Sequence, residues 1–463
     1  MKHLPDLPAP LLPLLTALRA GGLRPVVVGG YVRDALRGIP SKDIDIECFG
    51  TASPDALLPL LAPFGSVNSV GRSFGVLKLS LGGFDLDLAL PRTEVKSGSG
   101  HTGFDVTPLE GFDFAAAARR RDFTVNAIGY DPADNVLLDP FGGRDDLENG
   151  RLRCVDPATF VEDPLRLLRA VQFAARFNLT PDRQLLTLAW TMMREKVLDE
   201  LPKERIFEEI KKLLLKSERP SLGLQTMEAL HITPFFPALN ALKGVPIDPS
   251  NHREGDVWAH TLLALDVMAA RCGSVDADPL ALMLGILCHD MGKPLTTRLA
   301  QGRITAPGHA VAGMRTAAAF LAQLTHDKRL TATVLDYVRY HGEAKRLYTL
   351  HAADAAIMRL ACRVRIDAIA AVAEADHLGR LPRTARSEAA EWLRQKAETL
   401  GVLHAPRPAL LRGEDLVAAG LAPSPQFKNI LETAYDVQLE GAFADRAGAR
   451  RWLETYLSDL GKS

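Results

Sequence analysis

Near residue 163 the apolar pattern of this chain changes period and stays changed. From 11 to about 149, short β-branched and apolar runs alternate with polar residues and are punctuated by glycine pairs. From about 163 onward, apolar residues recur at three- and four-residue spacing, through 176, 204–215 and 222–230 and on towards the C-terminus. A period of two requires a sheet and a period near 3.6 requires helices. The chain must therefore build an α/β unit first and helical units after it. At about 150 residues per domain, 463 residues make roughly three. The expected divisions are 1–150 for an α/β head, 151–245 for a helical neck and body, and 246–463 for a second helical domain. The Pro-, Gly-, Asn- and Asp-rich stretch 242–255 is the linker expected before the last of these.

In the head, 24–28 reads as a strand that ends in Gly29-Gly30, and a helical stretch follows over 32–37. Glycines at such a corner let the backbone approach a bound group, and the amides of a helix N-terminus attract phosphate oxygens. Arg33 adds a cation one turn into that helix. A strand, Gly-Gly and helix are by themselves only a tight corner. A second short strand is expected over 42–47, and 75–81 with 84–90 read as a hairpin turning on Gly82-Gly83.

The second strand carries Lys42-Asp43-Ile44-Asp45-Ile46-Glu47. Residues i and i+2 of a strand share a face, so Asp43 and Asp45 project together. Two such carboxylates repel unless a cation lies between them, and hard divalent ions such as Mg²⁺ prefer carboxylate oxygens. Two-metal phosphoryl transfer uses that arrangement, usually with a third carboxylate from a neighbouring strand. Asp87 is placed to supply it, and Asp85 shares its face by parity, so periodicity leaves the choice open. A solvated acidic strand edge is the plain alternative, and the glycine pair and Val32-Arg33-Asp34 upstream weigh against it.

G-G-x-V-R-D followed by K-D-x-D resembles the first motif of nucleotidyltransferases of the DNA polymerase β type, and more narrowly of the class II bacterial tRNA nucleotidyltransferases (CCA-adding enzymes) and bacterial poly(A) polymerases. The resemblance continues in order. Arg119-Arg120-Arg121-Asp122-Phe123-Thr124-Val125-Asn126-Ala127 is similar to R-R-D-F-T-x-N-A. Asp139-Pro140-Phe141-Gly142-Gly143, with Asp145-Asp146-Leu147, matches a D-P-x-x-G-x-x-D-L turn. Glu162-Asp163-Pro164-Leu165-Arg166-Leu167-Leu168-Arg169 matches E-D-P-x-R-x-x-R, and Glu204-Arg205-Ile206 with Glu209 looks like the last motif.

The resemblance implies a polymerase β-like head of mixed sheet and helices, followed by an all-α neck and body. It implies catalysis by Asp43, Asp45 and Asp87 with Mg²⁺, and nucleotide contacts from Gly29, Gly30 and Arg33 on the phosphates and from Arg121 near the triphosphate or ribose. It also implies a protein template, Asp163, Arg166 and Arg169, that selects CTP or ATP for addition to a tRNA 3′ end. If 163–169 is helical, residues three apart share a side, and a carboxylate with two guanidiniums there suits the Watson–Crick edges of cytosine or adenine. Asp122 is expected to orient Arg33 or Arg121. Residues 92–103, with three glycines and two serines, read as a mobile loop, matched in CCA-adding enzymes by one that assists the switch from C to A. Lys203, Arg205, Lys211, Lys212 and Lys216 form a phosphate-contacting stripe or an ordinary solvated face.

In the last third, the apolar run 278–288 ends in Cys288-His289-Asp290. Imidazole and carboxylate together suit one divalent transition metal. With His260 upstream and Asp376 downstream, the order H…HD…D resembles the HD-type metal-dependent phosphohydrolases, which implies an all-α HD domain with a metal on His260, His289, Asp290 and Asp376. His309 and His341 would complete a second metal position. A capped helix end without a metal is the competing reading.

Lys plus Arg is 55 and Asp plus Glu is 56, a net charge of −1, which excludes a uniformly basic nucleic-acid binder but not a local basic patch. Five scattered cysteines without a C-x-x-C pair exclude a disulfide framework and a zinc ribbon. No apolar run reaches the length of a membrane span, and the expected location is the reducing cytoplasm. Four activities remain open. They are addition of C, C and A to tRNA, a partial CC- or A-adding enzyme, an ATP-only poly(A) polymerase, and a phosphohydrolase of cyclic or 2′-phosphorylated nucleotides.

Overall fold

The structure is a computed structural model that describes residues 6–51, 53–67, 76–96, 104–108, 111–250, 252–382 and 384–460. The chain divides into two compact units, Met1–Phe235 and Phe236–Ser463. The second unit begins ahead of the stretch 242–255, because Phe236 packs its ring against Phe320 at 5.9 Å within that unit.

The first unit opens with helix α1 (Leu11–Ala20), strand β1 (Arg24–Val28) and helix α2 (Gly30–Leu36). Strands β2 (Asp43–Phe49), β3 (Val76–Leu81) and β4 (Phe84–Ala89) follow. Residues 92–96 and 104–108 pair as antiparallel strands β5 and β6, and β7 (Gly129–Asp131) and β8 (Val136–Leu138) close the set. The main sheet has six strands in the order β3-β4-β2-β1-β7-β8. All its neighbours are antiparallel except β2 and β4, which run parallel.

Alternation gives each sheet face one job. Val27, Ile44, Ile46, Leu86 and Leu88 point to the side covered by α1 and α2, where Leu14, Leu18 and Val32 complete a buried cluster. Each Leu so buried contributes about 2 kcal/mol. The opposite face carries Val26, Val28 and Phe49 under the helix Phe114–Arg119, and the acids of β2 and β4 share it. The β3–β4 turn is where alternation and glycines placed it, with Gly82 and Gly83 at φ +59 and +86, the left-handed pair that a two-residue hairpin of this twist needs. The expectation of a loop over 92–103 is corrected in part. Residues 92–96 are strand because they find partners in 104–108, whereas 97–103 lie outside the described residues.

Beyond the sheet, α3 (Leu165–Phe177), α4 (Arg183–Arg194), α5 (Lys203–Lys216) and α6 (Pro220–Ala229) form the helical part of the first unit. Leu167, Leu168, Val171 and Ala174 form the buried face of α3. In the second unit, α7 (Val257–Arg271), α8 (Pro279–Cys288), α9 (His309–Leu324), α10 (Lys328–Tyr340) and α11 (Ile366–Leu378) carry the core. Every residue of α8 from Leu280 to Cys288 is buried, because α7, α10 and α11 all pack on it. Three more helices near the C-terminus gather their own cluster around Leu416, Ile430, Phe443 and Leu453. Among the described residues, no helix is long and apolar enough to cross a membrane, and all five cysteines are free thiols.

Candidate functional site

The first site is a polar cavity of about 840 Å³ between the acid-bearing face of the sheet and α3 and α5. Gly29, Gly30, Arg33, Asp43, Asp45, Asp87, Arg121, Asp163, Arg166 and Arg169 all line it, so the structure gathers the expected catalytic and nucleotide-contacting residues of the head and neck. Asp85 does not line it. Parallel pairing sets Asp43 opposite Asp85 and Asp45 opposite Asp87, and Asp85 is drawn off by a hydrogen bond from Ser80 Oγ at 2.9 Å. Placement on the cavity wall thus favours Asp87 where neither parity nor register could choose. Lys78 Nζ is 2.9 Å from Asp87 Oδ2 and supplies a positive charge on that flank.

Burial pushes the Asp45 carboxyl above its ordinary value, Arg121 pulls it back, and the charges of Asp87, Glu47 and Asp43 raise it further. A carboxylate raised by acids packed against it is a favourable seat for a divalent cation, and Asp43, Asp45 and Asp87 have the oxygen donors for one. Gly29 is required twice over at the corner. Its φ is +70, and a Cβ there would stand 2.8 Å from Arg121 Nη1.

Glu47, the next acid on this face of β2, is 2% exposed. It accepts from Arg121 Nη2 at 2.8 Å and Arg120 Nη2 at 3.2 Å. Arg121 also donates from Nη1 to the Asn126 carbonyl at 3.3 Å, so its guanidinium is held beside Gly29 and Asp45. Arg33 donates to Asn126 Oδ1 at 2.6 Å and to Asp34 at 2.8 Å, with its guanidinium 4.0 Å from the centre of the Phe177 ring.

Two expectations need correction. Asp122 orients neither Arg33 nor Arg121 directly; it accepts from Arg169 Nε at 2.7 Å and Nη2 at 2.6 Å, from Asn126 Nδ2 at 2.9 Å and from the Phe123 amide at 2.7 Å. Burial works to raise its carboxyl, but Arg169 and these hydrogen bonds outweigh burial and hold it low. Asp163 is not on the helix with Arg166 and Arg169, because Pro164 caps α3; its carboxylate instead receives the Leu165 amide at 3.2 Å and faces Arg205 at 3.6 Å. Arg166 is fixed by the carbonyls of Thr159 at 2.8 Å and Arg120 at 2.5 Å. The basic stripe also divides. Arg205 and Lys212 line the cavity and Lys211 does not, although Lys212 and Lys211 each pair along the same helix, with Glu209 at 2.8 Å and Glu208 at 3.7 Å.

The D-P-F-G-G turn is a brace. Asp139 receives the amides of Gly143 at 2.7 Å and Arg144 at 2.9 Å, and buried Asp146 receives Thr124 Oγ1 at 2.6 Å and Arg153 Nε at 2.9 Å. It holds the 121–126 segment from behind.

The second site lies at the C-terminal end of α8. His260 Nε2 is 2.9 Å from Asp376 Oδ1, and His289 Nε2 is 3.1 Å from Asp290 Oδ2 and 3.8 Å from Asp376 Oδ1. The expected quartet is therefore one cluster, with all but Asp376 essentially inaccessible. His289 Nδ1 faces the Ile286 carbonyl at 2.7 Å, which places its proton there and leaves Nε2 as a lone pair. Neither that Nε2 nor either oxygen of Asp290 finds a well-directed hydrogen bond, although Lys293 Nζ approaches Asp290 Oδ2 at 2.6 Å. Buried acceptors without donors are the signature a cation would satisfy.

His309 and His341 repeat the pattern. Their Nδ1 atoms face the Ala306 and Val338 carbonyls at 2.8 and 2.7 Å, and their Nε2 atoms meet each other at 3.0 Å. Two lone pairs at that distance call for a positive charge between them, and Asp290 Oδ1 is 3.6 Å from His309 Nε2. Burial, then the neighbouring His289, hold the His341 imidazole down to about 4, in its neutral form.

The sequence reading did not find the outer supports. Glu254 Oε1 takes His260 Nδ1 at 3.0 Å and His252 Nδ1 at 2.6 Å; burial works to raise this carboxyl, but the two imidazoles hold it at about 2. Arg380 holds Asp376 Oδ2 at 2.7 Å. Lys293 and Arg380 were open to discovery as i+3 and i+4 partners of Asp290 and Asp376; Glu254, in the presumed linker, gave no signal. A cavity of about 740 Å³ opens onto this cluster, with Lys345, Arg386 and Tyr348 on its far walls.

Comparison with known proteins gives consistent findings. A family model described as "Poly A polymerase head domain" matches residues 26–153, and one described as "Probable RNA and SrmB- binding site of polymerase A" matches 189–243. The "Multifunctional CCA protein" of Xylella fastidiosa (strain 9a5c) is 36% identical over 372 residues, covering 77% of this chain and 84% of that protein. Among solved structures, an apo form of a CCA-adding enzyme aligns with a TM-score of 0.67 at 20% identity, over 98% of this chain and 97% of its own. A Thermotoga maritima CCA-adding enzyme complexed with tRNA aligns with a TM-score of 0.61 at 19% identity, over 96% and 94%.

Proposed function

The chain belongs to the CCA-adding nucleotidyltransferase family, and on that footing we propose that its first unit extends tRNA 3′ ends by C, C and A from CTP and ATP. One observation carries the reading. A single cavity presents paired carboxylates, phosphate-side cations and the Asp163, Arg166 and Arg169 set. These are the groups that nucleotide transfer and base selection each require.

A nucleotidyltransferase of this kind works with a divalent metal, for which we propose Mg²⁺ on Asp43 and Asp45 with Asp87 as third acid. When bound, the ion lowers the barrier to deprotonating the RNA 3′-hydroxyl and neutralises leaving-group charge. Arg33 and Arg121 are directed at the triphosphate, and the Gly29-Gly30 corner allows its close approach. Arg166 and Arg169 are pinned by carbonyls and by Asp122 rather than by the ligand, so their free donors meet a base without first ordering long side chains. Specificity for C and A over U and G is proposed to come from those donors together with Asp163. A reaction that draws on CTP, ATP and tRNA belongs in the cytoplasm.

Incubating the protein and Mg²⁺ with transcripts ending at the discriminator base, at C and at CC, with CTP and ATP singly and together, tests this at single-nucleotide resolution. Growth from the bare end to CCA is expected. A stop at CC, extension of only the CC end by one A, or a tail of A alone each replaces the proposal by one of the partial activities.

A second reading, for the second unit, is favoured by the orphaned acceptors of His289 and Asp290 and by the facing imidazoles of His309 and His341. These residues fit a divalent transition metal held by His260, His289, Asp290 and Asp376, with room for a second at His309 and His341. Such a metal supplies an activated water for phosphoester hydrolysis. Metal content of the purified protein, and release of phosphate from 2′,3′-cyclic or 2′-phosphorylated nucleotides, test this. His289→Ala is expected to lose both; a wild-type chain that binds no transition metal refutes it.

A further inference from the structure

The residues that face the two ends of a nucleotide belong to one hydrogen-bonded chain. Arg33 donates to Asn126 Oδ1 at 2.6 Å, Asn126 Nδ2 donates to Asp122 Oδ1 at 2.9 Å, and Arg169 closes on Asp122 Oδ2 from Nε and Nη2 at 2.7 and 2.6 Å. Arg33, Asn126 and Asp122 are 5, 6 and 8% exposed, so water does not substitute for these contacts. A second bridge runs alongside. The Phe173 ring lies 5.3 Å from the guanidinium carbon of Arg33 and 5.3 Å from that of Arg169. The chain joins α2 of the head to α3, and 93 residues separate Arg33 from Asn126 in sequence.

We propose that Asn126 is a positioning residue for base selection: by tying Arg33 to Asp122 it fixes the offset between the guanidinium that meets the triphosphate and the one that meets the base. The proposal rests on the nucleotide-addition reading above. Asn126 suits the task because its amide offers an acceptor to the cation on one side and a donor to the carboxylate on the other. An aspartate there keeps the acceptor for Arg33 but turns a second carboxylate on Asp122; an alanine removes both bonds. With either, Arg169 still has Asp122, yet Asp122 has lost the bond that registers it to Arg33. Base contacts made only at the correct offset are then lost for the right base and not for the wrong one.

The decisive readout is the ratio of kcat/KM for CTP to that for UTP on a transcript ending at the discriminator base. Both nucleotides carry the same triphosphate, so any direct effect on phosphate binding cancels in the ratio. Asn126→Asp and Asn126→Ala are each expected to lower the ratio about tenfold, the factor carried by one hydrogen bond to a charged group. A merely structural role lowers kcat/KM for CTP and UTP alike and leaves the ratio unchanged. A ratio within threefold of wild type in a variant whose Tm shows it folded overturns the proposal. Should Asn126→Asp not fold, Asn126→Ala decides alone. Failure of the wild-type protein to extend any transcript overturns the addition reading and this inference with it, whereas normal wild-type extension with an unchanged ratio overturns the inference only.

Discussion

Replacing Glu47 by glutamine removes one buried negative charge and leaves two guanidiniums facing an amide. Glu47 is 2% exposed, and Arg121 and Arg120 are 17 and 24% exposed, at 2.8 and 3.2 Å. Breaking a fully buried pair costs about 3–5 kcal/mol; with the arginines partly solvated, about 2 kcal/mol is the magnitude expected here. The first unit holds 235 residues, for which that is a fall of about 5 °C in its unfolding transition by calorimetry. The effect on Asp45 has a definite sign. Its carboxyl is raised by burial first, is lowered by Arg121, and is raised again by Asp87, Glu47 and Asp43. Glu47→Gln deletes one raising charge and frees Arg121 to turn towards Asp45, and both changes lower it. Only the carboxylate form serves as a metal ligand, so wild-type addition declines as pH falls through this raised value. In Glu47→Gln that acid limb moves to lower pH, and more Mg²⁺ is needed for half-maximal rate because Arg121 competes for the carboxylate. Single-turnover addition of C across pH and Mg²⁺ concentration reads both. An unchanged Tm, or an acid limb that stays or moves up, refutes the clamp.

Asp43→Ala is expected to abolish nucleotide addition while metal-dependent hydrolysis by the second unit continues; joint loss in paired assays would mean that the two sites are not independent. Gly292→Ala should loosen the second unit, because its Cβ would fall 2.0 Å from the His309 carbonyl oxygen and 2.5 Å from the Gly313 nitrogen. Overpacking of backbone on backbone costs about 1–3 kcal/mol, read as a lower Tm together with weaker transition-metal binding. Arg205→Ala with Lys212→Ala, both on the cavity wall, should weaken tRNA binding and reduce the slope of log affinity against log salt by about 2, whereas Lys211→Ala, off that wall, should leave both near wild type. Binding isotherms at two salt concentrations separate these outcomes.

Much of the molecule was legible in one dimension. The change of period near 163 marks where the long helices begin, at Leu165, after a sheet whose last strand ends at Leu138, since side-chain parity and helical repeat are properties of neighbours in sequence. The Gly29-Gly30 corner, the shared face of Asp43 and Asp45 and the Gly82-Gly83 hairpin follow from the same local rules. The ordered motifs carried the identity of the head, and the His-Asp pair at the end of an apolar helix carried the second site.

Partnership was decided only by tertiary structure. Parity made Asp85 and Asp87 equivalent, and packing placed Asp87 on the cavity wall while Ser80 holds Asp85 away from it. Asp122 was expected to hold an arginine of the head and instead holds Arg169, 47 residues on, because α3 packs where that guanidinium meets it. Residues 92–96 read as loop from composition, yet pairing with 104–108 made them strand. Glu254 lay in a segment with every mark of a linker and reaches His260 and His252. Local sequence sets which way a side chain points, but for Asp45 and Asp122 the group it meets lies 42 and 47 residues away, and even the nearer partners of Glu254 and of 92–96 are met only once the intervening chain folds back.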